Sequence, residues 1–230
     1  MIRPMNTSVR VPAPENETEL LQKAHALAGK SLGELADEYC QKLPVSPIHS
    51  KGWTGQFLEQ CLGASAGSKA LPDFPELGIE LKTLPLNHHQ QPKESTYVCT
   101  VPMQARTLQP WQNSWVCQKL SRVLWIPIEA DPKLDFAKRH IGMACLWSPN
   151  EQQATTLRQD WEELMELVVL GRWDNISADQ GTYLQIRPKA ANARSLCTAS
   201  NEEGQPIQTL PRGFYLRPEL TRKILNSQYL

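Results

Sequence analysis

The 230-residue chain has no excess of either charge: 24 lysines and arginines stand against 24 aspartates and glutamates. That balance excludes a uniformly basic nucleic-acid binder, so any basic surface has to be local. No apolar stretch approaches the roughly 20 residues that a membrane-spanning helix needs, and no membrane partner is expected. None of the six cysteines (Cys40, Cys61, Cys99, Cys117, Cys145 and Cys197) forms a C-x-x-C pair. A zinc ribbon and a thioredoxin-like redox motif are thereby left out. The cysteines read as small buried apolar residues, reduced in a protein expected in the cytoplasm. Residues 1–15 hold Arg3, Arg10 and three prolines but no apolar run, so a flexible N-terminal arm is expected there and no signal peptide. Internal repeats and low-complexity tracts are also lacking. A hydrophobic fraction of 40% and a charged fraction of 21% are those of an ordinary globular protein. The length suffices for one domain, 16–230, with two lobes around a shared cleft.

Hydrophobic periodicity then divides the chain. Asn16 with Glu19 predicts a capping box, followed by a helical stripe through Leu20, Leu21, Ala24, Leu27 and Ala28 that ends at Gly29. Ser31 with Glu34 repeats the signal for a short second helix. A proline-bearing loop, Pro44 to Pro47, leads to Lys51-Gly52-Trp53 and a third helix around Phe57 to Leu62, stopped by Gly63. Strands are predicted over Leu77–Leu84, Thr96–Pro102, Val123–Glu129, Tyr183–Arg187 and Phe214–Leu216. Between them, Asn87–Lys93 and Arg106–Asn113 read as polar connections. Leu157, Trp161, Leu164, Met165 and Val168 recur at helical spacing, so a long helix is predicted over Asn150–Leu170 with Gly171 closing it. A last helix starts at Pro218 and runs to about Leu225. The order of elements predicts an α+β or α/β mixed-sheet domain, helical at both ends.

Charge is unevenly spread. Gln185–Lys223 holds seven basic residues against three acidic ones, while Glu151–Gln180 holds seven acidic residues and two arginines. Each run reads first as a solvated face, although the acidic helix face (Asp160, Glu162, Glu163, Glu166) also suits docking of an activator. His88 and His89 read as a polar loop, since adjacent side chains point apart and no partner has ligand spacing.

The segment with the most chemistry runs from Pro72 to Thr83. On a strand Glu80 and Lys82 share a face while Ile79 and Leu81 point into the core. Asp73 lies upstream of a turn at Gly78 and can fold back toward Glu80. Two carboxylates and one ammonium suit phosphodiester hydrolysis: one or two carboxylates hold Mg2+, which activates water and offsets developing charge. The lysine orients or deprotonates the attacking water, and Glu59 on the preceding helix is placed at the outer edge. An acidic-x-Lys triplet alone is weak. Asp131-Pro132-Lys133 is a second match, but proline and a loop keep it off a strand face. The bland reading of Glu80 and Lys82 is a surface strand with a cross-strand ion pair.

Further segments carry a resemblance. Lys51-Gly52-Trp53, Leu62-Gly63-Ala64-Ser65-Ala66-Gly67-Ser68-Lys69, Glu80-Leu81-Lys82-Thr83, Val123-Leu124-Trp125-Ile126-Pro127 and Leu146-Trp147-Ser148-Pro149-Asn150-Glu151 occur in order. Gln185 to Ala193 and Leu210 to Leu216 follow. Together they resemble the MutH family of mismatch-repair endonucleases over nearly the whole chain from about residue 17. The resemblance implies a restriction-endonuclease-like fold, with two lobes flanking a DNA cleft. It also implies Mg2+-dependent nicking (Mn2+ able to substitute) of the unmethylated strand at hemimethylated GATC sites. Double-stranded DNA and MutL, an ATP-dependent activator, are implied as direct partners, with MutS acting indirectly and the chain a monomer. Matched to the family, Glu59, Asp73, Glu80 and Lys82 fall on the catalytic group, with Asp73, Glu80 and Glu59 at the metal. Lys119 falls on a lysine near the scissile phosphate. Lys51, Gly52, Tyr97, Arg187, Lys189, Arg212 and Tyr215 fall in segments used at the DNA. The family position at Tyr97 is often phenylalanine, and the ring is kept.

Arginine reads guanine bidentately and lysine neutralises phosphates, which suits the basic C-terminal segments. Tyr215 can lie against adenine and test for an N6-methyl group, or serve as ordinary sheet packing. Two other functions fit the same residues: a GATC restriction enzyme cutting both strands, and a non-catalytic methylation reader. The first needs a dimer seam, for which nothing in the sequence speaks, and the second has no need of Asp73, Glu80 and Lys82.

Overall fold

The computed structural model describes residues 11–44, 47–67, 71–190, 192 and 194–229, with side chains left out for 47–51, 228 and 229. The chain divides into two compact units. One comprises the residues through Lys93 together with 123–147, and the other 94–122 with 148–230.

The first unit opens with three helices. Helix α1 spans Glu17–His25, and the Asn16 side chain accepts from the Glu19 N–H at 2.9 Å. The expected reciprocal bond goes one residue further upstream: Glu19 Oε2 accepts from the Glu15 N–H at 2.7 Å. Helix α2, Leu32–Glu38, has the full capping box, with Ser31 and Glu34 bonded both ways. Helix α3, Pro47–Leu62, starts ten residues before Phe57, because proline at a first helical position is compatible with a helix start. Lys51 and Gly52 therefore lie within the helix and not ahead of its expected start. Gly63 closes α3 at φ +77, where a Cβ would stand 2.3 Å from the Pro12 carbonyl oxygen.

Strands β1 (Glu80–Leu86), β3 (Val123–Glu129) and β4 (Cys145–Trp147) form a mixed sheet in the order β1-β3-β4. Strand β2 (Thr96–Thr100) belongs to the second unit. β1 and β3 run parallel, pairing Glu80 with Val123 and Lys82 with Trp125, and β4 is antiparallel to β3. The apolar run of β3 is buried from Val123 to Ile128, as a central strand covered on both faces should be. One face packs Leu81, Leu124 and Ile126 against Leu20, Leu35, Leu58 and Leu62 of the helices. β1 begins at Glu80 and not at Leu77, since Leu77 and Gly78 are spent on a turn.

In the second unit, β2, β8 (Arg212–Leu216) and β5 (Leu184–Pro188) form an antiparallel sheet in the order β2-β8-β5. Helix α5, Glu151–Val169, buries Leu157, Trp161, Leu164, Met165 and Val168 and packs on β5. Its capping box joins Asn150 and Gln153, and Gly171 follows at φ +69. Helix α4 (Trp115–Leu120), the strand β4 and the hairpin of β6 (Cys197–Ser200) and β7 (Pro206–Thr209) had no predicted counterpart. Helix α6 runs over Pro218–Tyr229, past the expected end at Leu225. Among the described residues no helix is long and apolar enough to cross a membrane.

Leu124 is fully buried in the central strand. Leu124→Ala should lower the unfolding free energy by about 2–5 kcal/mol, read by chemical denaturation with an unchanged m-value.

Candidate active site and nucleic-acid face

A tight turn builds the carboxylate site. Phe74 and Ile79 exchange backbone hydrogen bonds at 2.9 and 3.2 Å, and Gly78 between them has φ +65, which glycine adopts without strain. The turn lays Asp73 alongside the start of β1, where its Oδ2 accepts from the Leu81 N–H at 2.8 Å. Lys82 Nζ reaches Glu80 Oε1 at 2.6 Å, as side chains two apart on a strand face allow. Glu80 is 3% exposed and the Lys82 side chain 13%. The pair thus joins a buried carboxylate to a half-buried ammonium on one strand, unlike the cross-strand surface pair of the bland reading, and burying a charge is costly unless it is paired.

Glu59 lies half-buried on α3, which packs on β1. The helix end is tied to Asp73: Ala64 N–H donates to the Glu59 carbonyl at 2.8 Å, and Ser65 N–H to the Asp73 carbonyl at 3.1 Å. Among the described residues no three carboxylate, imidazole or thiolate groups gather as a metal cage. The hard oxygens of Asp73 and Glu80 suit Mg2+, which keeps several waters and takes one or two carboxylates with substrate phosphate. Asp131 and Lys133 behave differently: Asp131 Oδ1 accepts from the Lys133 N–H at 2.9 Å in a turn, so the second triplet builds no site.

The second unit carries the aromatic and basic residues. In the register of β2, β8 and β5, Tyr97 pairs with Tyr215 and Gln185 with Tyr215, which puts the three on one face. Arg187 pairs with Gly213 on that same face. The Tyr97 and Tyr215 rings meet edge-on at 5.4 Å, and Lys189 Nζ stands 3.5 Å from the Tyr97 ring centre. A Cβ on Gly213 would lie 2.9 Å from the Tyr97 ring and 3.2 Å from the Tyr215 ring, so the close approach of both rings requires glycine there. Buried Gln185 donates to Ser95 Oγ at 2.8 Å, and Arg187 approaches the same hydroxyl at 3.5 Å. Gln185, Ser95 and Gly213 escaped sequence reasoning, although alternation outward from Tyr215 and Arg187 points to Gln185 and Gly213.

Arg212 does not join this face. It pairs with Pro188 on the opposite side of the sheet, where its guanidinium lies 5.6 Å from the Trp173 ring centre. Burial holds that guanidinium below the usual arginine value, with Asp174 opposing, and its Nε is buried with no hydrogen-bond partner among the described residues. Lys119 is half-buried in the last turn of α4, in the second unit. Gly52 is exposed on α3. The Lys51 side chain lies outside the described residues, as do Ser68, Lys69, Ala191 and Ala193.

Two further expectations are corrected. Asp160 is no part of a solvated acidic face: it is 4% exposed and bonded to backbone, because it falls on the apolar stripe with Leu157 and Leu164. The His88 and His89 rings do not point apart but lie 3.8 Å from each other, since the chain turns there through Gln90 at φ +58.

A mixed sheet with a carboxylate and a lysine two residues apart on its edge strand, and an aspartate folded back onto it, has the frame of the restriction-endonuclease-like proteins. The family model described as DNA mismatch repair enzyme MutH matches residues 62–160. That stretch includes Asp73, Glu80, Lys82, Tyr97 and Lys119 but not Glu59, Arg187 or Tyr215. Similarity extends further in whole-chain relatives, each described as DNA mismatch repair protein MutH. The protein of Vibrio vulnificus (strain YJ016) is 50% identical over 218 residues, covering 95% of this chain and 96% of the relative. That of Pectobacterium atrosepticum is 49% identical over 223 residues, covering 97% and 96%. That of Serratia proteamaculans (strain 568) is 51% identical over 218 residues, covering 95% and 96%. The chain belongs to the MutH family of DNA mismatch repair endonucleases.

Burial pushes the Tyr215 phenol above its ordinary value; Arg187 opposes this and Glu94 adds to it. A raised phenol favours the neutral form in the fold, so its contribution holds below the ordinary value of about 10 and is lost as pH rises through the raised one. Spectrophotometric titration should show Tyr215→Phe losing a component that titrates above that value. Loss of a component at or below it contradicts the burial.

Proposed function

We propose that the chain nicks the unmethylated strand of hemimethylated GATC sites by Mg2+-dependent hydrolysis, under activation by MutL after MutS has found a mismatch. The observation that carries the chemistry is the buried contact of Lys82 Nζ with Glu80 Oε1 at 2.6 Å, beside the Asp73 carboxylate on the Leu81 N–H. Family membership supports the site and partner specificity.

In this reading Asp73 and Glu80 hold Mg2+, with Glu59 at the outer edge and Mn2+ able to substitute. The ion supplies a lowered pKa for water and an offset for charge on the phosphoryl oxygens. Lys82 orients the attacking water and takes up part of the developing negative charge, while the Glu80 carboxylate keeps its ammonium in place. Lys119 contributes a further positive charge at the scissile phosphate. On the nucleic-acid face Arg187 reads guanine with its two-pronged guanidinium, and Lys189 neutralises a phosphate. Lys51 and Gly52 serve phosphate contacts, whereas Arg212 stays on the other side of the sheet against Trp173. Tyr215, braced by Tyr97, lies against adenine and senses its N6-methyl group. The protein acts as a cytoplasmic monomer.

The test is a nicking assay on a duplex with one hemimethylated GATC site in Mg2+, with and without the ATP-bound MutL partner. Wild type should nick only the unmethylated strand, faster with the partner. Glu80→Ala should lose about 10²–10³ in rate, and chelation of Mg2+ should abolish nicking. Cleavage of both strands points to a restriction enzyme, and binding without cleavage in any metal to a reader. A Tyr215→Ala variant with unchanged methylation preference removes that residue's assigned role.

A further inference from the structure

Asp160 takes no part in the proposed chemistry, yet its carboxylate is buried in the second unit at 4% exposure. Three successive backbone N–H groups converge on it. Thr182 donates to Oδ1 at 2.7 Å, and Tyr183 and Leu184 donate to Oδ2 at 2.6 and 2.8 Å. Such a run of amides forms a concave seat for an anion, and charge-assisted bonds of this length are the strong ones. Gly181 makes the seat possible. It has φ +78, and a Cβ there would stand 1.9 Å from the Leu184 carbonyl oxygen and 3.3 Å from Asp160 Cγ.

The bonded amides end at the first residue of β5. Among the described residues that strand is paired on one side only, with β8, so no ladder there fixes its outer edge. The segment leading into it is clamped from a second direction: Arg217 donates to the carbonyls of Ala178 and Gln180 at 2.6 and 2.8 Å. Asp160 itself sits on α5, whose buried face includes Leu157, Trp161 and Leu164. Gln185 follows Leu184 directly, and Arg187 is three residues on, about 10 Å along an extended chain.

We propose that Asp160 is a positioning residue for DNA recognition: it fixes the start of β5 so that Arg187 meets a base edge in register, with buried Gln185 held beside it on Ser95. The inference rests on the functional reading above for what Arg187 contacts. Base readout depends on placement to within about an ångström, whereas phosphate contacts tolerate movement. Loss of the anchor therefore falls on the preference for the cognate site and not on general affinity for DNA.

Asp160→Asn keeps the shape but removes the charge and turns an amide –NH2 toward the backbone donors. Binding is measured in chelator, so that no cleavage intervenes. The two probes are a duplex with one hemimethylated GATC site and one of equal length without it. Asp160→Asn should reduce the cognate-to-noncognate ratio about tenfold, with noncognate affinity changed less than about twofold. Leu157→Ala, which opens a cavity in the same helix, should lower Tm and leave the ratio unchanged. A folded Asp160→Asn variant with the wild-type ratio, or an equal fall in Leu157→Ala, overturns the proposal. If Asp160→Asn does not fold, Asp160→Glu is judged by the same ratio. A wild type that shows no preference for GATC fails the functional reading instead. Amide exchange then decides the anchor: faster exchange at Thr182, Tyr183 and Leu184 in Asp160→Asn upholds it, and unchanged exchange overturns it.

Discussion

The buried contact of Glu80 with Lys82 is the constraint around which the first unit is arranged. A carboxylate that is 3% exposed is held against an ammonium at 2.6 Å, at the very start of an edge strand. Removing two charges from water opposes folding, and their mutual attraction offsets that cost only where geometry is fixed. Fixation comes from the apolar neighbours. Ile79 and Leu81 flank Glu80 and are buried in the core with Leu124 and Leu58, so the strand cannot rotate its polar face away. The Phe74–Ile79 turn then sets Asp73 beside the same strand with one backbone acceptor bond. Hydrophobic packing thus concentrates charge at one place, which packing for stability alone would not favour.

The second unit meets a different demand, that of presenting flat and charged groups from a sheet. Its alternation sends Phe214 and Ile186 inward and Tyr215, Gln185 and Arg187 to the other face. Two tyrosines crowd over Gly213, and a lysine sits on one of them. Each ring is thereby limited in its rotamers before any ligand arrives, which reduces the entropy lost on binding.

Local signals were legible wherever one periodicity or one cap decided the outcome. β3 runs over Val123–Glu129 as its apolar run predicts, and α5 is bounded by Asn150 and Gly171 as its cap and glycine predict. The facing of Glu80 and Lys82 follows from strand alternation alone. What stayed hidden depended on partners distant in sequence. Asp160 looks like one more acidic residue of a charged helix until Thr182–Leu184 come to it across more than twenty residues. Arg212 lies three residues before Tyr215, so alternation puts it on the opposite side of the sheet, but the strand expected from Phe214 to Leu216 began too late to include it. The three-residue β4 is too short to leave a period. The closeness of His88 and His89 depends on a left-handed Gln90 that composition does not announce.

Whether the Asp73 and Glu80 carboxylates form a metal-holding centre or only a structural ion pair is decided most directly by metal binding itself. Free Mn2+, followed by its electron paramagnetic resonance signal, is titrated with protein in the presence of an uncleavable GATC duplex. Wild type should deplete the free signal, and Asp73→Asn and Glu80→Gln should leave it close to that of duplex alone while retaining the wild-type fold by circular dichroism. Equal depletion by wild type and both variants would contradict the assignment and leave Glu80 and Lys82 as an ion pair of structural use only.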